Sequence, residues 1–99
     1  MVAALKTNDP EHAFKKACAS DGTVLALAKV LQDSENDKLR ENVCVAICNI
    51  ALSTDGAAAC VRAGAPKAIV SVLQVTKDYE VMLCGAWALE CIAWSDGES

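Results

Sequence analysis

Apolar positions Val81, Gly85, Ala88, Leu89 and Ile92 recur at spacings of three and four, the pattern of a helix that buries one side. Two tryptophans, Trp87 and Trp94, stand seven positions apart in the same stretch and fall off that stripe. Seven residues are nearly two helical turns, so both rings belong to one second face, with Glu90 and Cys91 between them. The polar string Asp33-Ser34-Glu35-Asn36 breaks the apolar pattern and reads as a turn. A long helix is predicted after it, from about Asp37 to Leu52 and ending near Asp55-Gly56. Before it, Asp9-Pro10 opens a helix running to Gly22, and a second helix, opened by Thr23, covers about Val24 to Gln32. Further on, Gly64-Ala65 precedes a helix beginning at Pro66, and the last long helix covers about Asp78 to Trp94, stopping at Asp96-Gly97.

These pieces repeat. Val30-Leu31-Gln32 returns as Val72-Leu73-Gln74, an offset of 42, and residues 17–53 align at that offset without a gap. Identical pairs include Ala17/Ala59, Cys18/Cys60, Gly22/Gly64, Ala46/Ala88, Ile50/Ile92 and Ser53/Ser95. Each copy holds a short, a medium and a long helix. A helical period of about 40 to 47 residues marks armadillo and HEAT solenoids. The 99 residues make one domain, with repeat one at about 10–55 and repeat two at about 57–96.

The second copy resembles the armadillo repeat in Gly64-Ala65-Pro66, in the helix "AIVSVLQ", and in "EVMLCGAWALECIA". The family pattern there is Trp-Ala-Leu-x-Asn-Ile-Ala. The first copy, Val45-Ala46-Ile47-Cys48-Asn49-Ile50-Ala51, keeps the asparagine and has valine for tryptophan; the second keeps Trp87 and has Cys91 for asparagine. The resemblance implies an all-α, right-handed α-solenoid, an armadillo-like superhelix of three-helix repeats. In such proteins the third helices line a groove that holds an extended peptide, the asparagine bonding its backbone and the ring packing on its side chains.

Only Asn49 and Trp87 match those family positions. With their neighbours on the third helices, they make Glu41, Val45, Asn49, Trp87, Glu90, Cys91 and Trp94 the candidate partner-binding residues. Trp87 is expected in the groove. Trp94 has no counterpart in the family motif and is expected to pack over the end of the stack. Asn49 is expected to be buried or half-buried, either holding a peptide or bonding a carbonyl of the adjacent repeat.

Charge narrows the partner. Acidic and basic residues balance at eight each through Ala68, after which Asp78, Glu80, Glu90, Asp96 and Glu98 face Lys77 alone. An acidic C-terminal third disfavours nucleic acid and favours a basic segment of a partner protein. No run approaches about 18 apolar residues, and no signal peptide opens the chain, so the expectation is a soluble protein with no membrane role. Its six cysteines read as reduced thiols inside a cytoplasmic or nuclear protein.

Catalysis finds little footing. Cys44 and Cys48 lie four apart on one long helix, and Cys84 and Cys91 seven apart on the next, so a thiolate cluster across the copies is geometrically conceivable. Paired C-x2-C spacings are absent, and the only histidine is His12. No glycine-rich phosphate loop or marked acid pair occurs. The reading is a non-catalytic binding scaffold without cofactors. Its alternative is a self-assembling element, since two repeats leave apolar ends that stack on copies of the chain.

Overall fold

The computed structural model describes residues 20–97, and every regular element among them is a helix. In chain order they are α1 (Asp21–Asp33), α2 (Asp37–Ile50), α3 (Thr54–Arg62), α4 (Ala65–Val75) and α5 (Tyr79–Gly97). The helix start at Asp9-Pro10, together with His12 and Cys18, lies outside the described residues.

Helix boundaries follow capping chemistry and correct three readings. Ser20 caps α1 by accepting from the Thr23 amide, so Gly22 lies inside the helix and Thr23 does not open it. The Ser20 side chain supplies the acceptor that the first-turn amides need. α2 ends at Ile50, two residues before Leu52. Asp55-Gly56 is no terminus, because Ser53 accepts from the Gly56 amide at 3.0 Å and starts α3 there. Between α3 and α4 the chain turns through 71° at Gly64, whose φ of 79° belongs to the left-handed region that glycine enters without strain.

The offset of 42 reappears in hydrogen bonds. In the first copy Ser34 Oγ accepts from the Asn36 amide and Asn36 Oδ1 from the Leu39 amide, both at 3.0 Å. In the second copy Thr76 Oγ1 accepts from the Asp78 amide and Asp78 Oδ1 from the Val81 amide, both at 3.1 Å. The same turn therefore launches both long helices. Buried Thr76 also donates to Asp37 Oδ1 at 3.2 Å, which ties the second turn to the start of α2. Arg40 completes the junction from Nη1 to the same oxygen at 3.0 Å and from Nε to the Ser34 carbonyl at 3.1 Å. Thr76→Val strands the Asp78 amide and removes a donor from Asp37. It is expected to cost about 1–2 kcal/mol, read as a lowered urea midpoint.

One core joins all five helices. Val24, Ala28 and Leu31 enter it from α1, Val43, Cys44 and Ile47 from α2, Ala57, Ala59 and Cys60 from α3, Ala65, Ala68, Ile69 and Val72 from α4, and Val81, Ala88 and Ile92 from α5. Small residues dominate this list, which lets helix axes approach closely. α2 packs along α5, and α1 along α4. An exposed ion pair, Arg62 Nη2 to Asp21 Oδ1 at 2.9 Å, links α3 to α1. Hydrogen bonds from Arg62 hold the Asp21 carboxyl below its ordinary range. That contribution is present above the unfolded-state pKa and is lost as pH falls through the lower folded value; with both partners in solvent it is small.

Corresponding positions are not buried alike. Cys44 and Ile47 of α2 and Ala51 just after it are buried, whereas their counterparts Ala86 and Ala93 are exposed and Leu89 is half-buried in α5. Conversely Val81, Ala88 and Ile92 are buried, while Leu39 is exposed and Ala46 and Ile50 are half-buried. The two long helices lie side by side, so each meets the other with a different side of the same apolar pattern.

Candidate protein-binding face

Helix α5 is apolar almost all round, and the core uses only one side of it. Val81, Gly85, Ala88 and Ile92 are buried, as their spacing predicts, while Leu89 of the same stripe is half-buried. Glycine at 85 allows the close approach, because a Cβ there would lie 2.9 Å from Leu73 Cδ2 on α4. Another stripe, Glu80, Leu83, Trp87, Glu90 and Trp94, is exposed along its whole length. Its spacings of three and four keep it on one side of the helix. Trp87 is 61% and Trp94 68% exposed, with Leu83 at 48%. Leu83, Ala86, Trp87 and Glu90 line an open concavity of about 500 Å³ on this surface.

Trp94 therefore does not pack over the end of the helices. It projects into solvent on the same side as Trp87, because the helical phase of residues 87 and 94 diverges from the buried stripe. Asn49 is likewise exposed rather than buried or half-buried, since it lies beyond the buried row of Cys44 and Ile47 on α2. On that helix Glu41 is half-buried and Val45 exposed, and Leu52, in the turn that follows it, is exposed as well. The sequence reading missed Leu83 and Leu52, although the spacing of 83, 87 and 94 carries the signal for the first, and Leu52 is Trp94's counterpart at the repeat offset.

The seam between α2 and α5 is lined with sulfur. Cys48 Sγ lies 3.2 Å from Cys91 Sγ, and both residues are half-buried. Burial pushes the Cys48 thiol up to about 12, with Cys91, Cys84 and Glu90 adding to the effect. Burial raises Cys84 as well, reinforced by Glu41 and Glu80 and opposed by Lys38. Carboxylates from both long helices thus bear on this seam, with Lys38 Nζ 3.6 Å from Glu41 Oε1. The buried Cys44 and Cys60 thiols are pushed up to about 11 by burial. Under neutral native conditions, iodoacetamide is expected to modify Cys44 and Cys60 only as fast as the chain opens, whereas in denaturant they react freely; peptide mass spectrometry checks both.

Among the described residues, no group of three or more His, Cys, Asp or Glu side chains is placed to hold a metal ion. No single described helix is long and apolar enough to cross a membrane. Comparison with protein-family models, curated proteins and solved structures yields no match to this chain.

Proposed function

We propose that the chain is an armadillo-like segment, a right-handed α-solenoid of three-helix repeats that binds an extended segment of a partner protein along α2 and α5. The observation that carries this reading is the exposed stripe of α5. Two tryptophans and a leucine stand in solvent with glutamates interleaved, on a helix whose opposite side already satisfies the core. Aromatic anchors beside carboxylates suit a peptide with basic side chains, whose stems pack on the rings while their charges meet Glu80, Glu90 and Glu41. The role is recognition without catalysis or cofactor, in a cytoplasmic or nuclear protein.

Tryptophan emission gives a direct test, because the chain's two tryptophans, Trp87 and Trp94, both lie on the proposed face. Titration with an extended lysine- and arginine-rich peptide is expected to shift the emission, and an acidic peptide of equal length is expected to leave it unchanged. Equal responses to both peptides, or to neither, would remove the reading.

One further observation favours self-association as a second reading. The counterparts of Cys44, Ile47 and Ala51, which form the α2 side of an internal helix junction, are Ala86, Leu89 and Ala93 on α5, exposed or half-buried. A second copy stacked end to end would cover them in the same manner. Light scattering over a dilution series in reducing buffer decides it, since a mass that stays monomeric at the highest concentration excludes the stack.

A further inference from the structure

We propose that Cys48 and Cys91 are a reversible disulfide site that staples α2 to α5. Their sulfurs lie 3.2 Å apart, on two helices separated by 43 positions in the chain. Closure to a covalent S–S bond shortens that separation by roughly 1 Å. The two residues are half-buried, so a small oxidant reaches them, whereas Cys44 and Cys60 are shut inside the core. Cys91 also sits one turn from both Trp87 and Trp94 on α5, which puts the staple at the edge of the exposed aromatic stripe. The assignment rests on the sulfur geometry and is independent of the peptide-binding reading.

The oxidant is a small-molecule disulfide such as oxidised glutathione. One protein thiolate attacks it and releases one glutathione thiolate, giving a mixed disulfide. The second protein sulfur, after losing its proton, displaces the other glutathione and forms the Sγ–Sγ bond. Two electrons leave the two cysteines and reduce one glutathione disulfide to two glutathione molecules, which carry away the two protons. Burial of Cys48 keeps its thiolate scarce at neutral pH.

The whole chain is equilibrated with oxidised glutathione at mildly alkaline pH, digested with trypsin without reduction and mapped by mass spectrometry. The expected product is monomeric, with the peptide Glu41–Arg62 joined to the peptide Asp78–Ser99. The link is expected to disappear in Cys48→Ser and in Cys91→Ser, and to persist in Cys44→Ala and Cys84→Ala. Oxidation of the unsubstituted chain is expected to raise its thermal midpoint by at least about 5 °C, reversibly with dithiothreitol, because a closed loop restricts the unfolded state. A link that survives either serine variant, a disulfide-joined dimer, glutathione adducts alone, or an unchanged midpoint would overturn the assignment.

Discussion

Replacing Gly56 by alanine is expected to destabilise the chain by about 3 kcal/mol, since of the described glycines it is the one whose added methyl meets the closest contact. Gly56 is buried in the first turn of α3, where the chain doubles back against the end of α2. A Cβ built there falls directly onto the Ile50 carbonyl oxygen and 2.9 Å from Ser53 Oγ, the atom that caps the helix. Backbone cannot yield as a flexible side chain can, so α3 must shift away from α2 or lose its cap. The contrast is Gly85, where the added methyl meets only the far end of Leu73 at 2.9 Å and the leucine can rotate. Urea unfolding of Gly56→Ala and Gly85→Ala checks the pair. Equal midpoints would show that the α2–α3 corner is looser than the close approach requires.

Trp87→Ala is expected to weaken binding of a basic peptide by at least about thirtyfold, the effect of deleting an aromatic hot spot. Stability should stay within about 0.5 kcal/mol of the unsubstituted chain, because the ring is 61% exposed and the core does not use it. These two expectations separate the roles cleanly. A buried aromatic deleted to alanine costs about 3–5 kcal/mol, so a loss of that size would assign Trp87 to packing and leave the peptide without its anchor. Calorimetric titration of the variant, alongside its urea midpoint, provides both readings.

Most of the helical architecture is legible in the residues themselves. The turn before Asn36, the long helix after it and the glycine turn at Gly64 all follow from capping and periodicity, whereas α5 runs on through Asp96 and Gly97, where a stop was expected. The buried stripe of α5 follows as well, since Val81, Gly85, Ala88 and Ile92 obey one helical phase. The errors fell where two cues compete. Gly22 and Asp55-Gly56 resemble helix stops, yet Ser20 and Ser53 a few residues earlier cap new helices and draw those glycines inside. Gly64, by contrast, takes a positive φ and turns the chain between α3 and α4.

The candidate face was half visible. Trp87 follows from the motif, and Glu90 and Val45 from their place beside it on the long helices; all three are exposed, and so are Asn49 and Trp94, for which more cover is expected. Composition cannot reveal which of two apolar sides a helix will spend on its neighbours. Phase alone identifies stripes, whereas burial depends on what lies against each of them.

The sequence by itself determined the helical content, the offset of 42 and the two sets of residues, stripe and ring-bearing face, that α5 carries. Those properties are local, since they rest on hydrogen-bonding caps and on a period of 3.6 residues per turn. Only the tertiary structure decided that Cys48 meets Cys91, that Thr76 reaches Asp37, and that α2 and α5 bury different sides of one repeated pattern. Each of these depends on how two helices distant in the chain are set side by side, and that placement comes from the packing of the whole core.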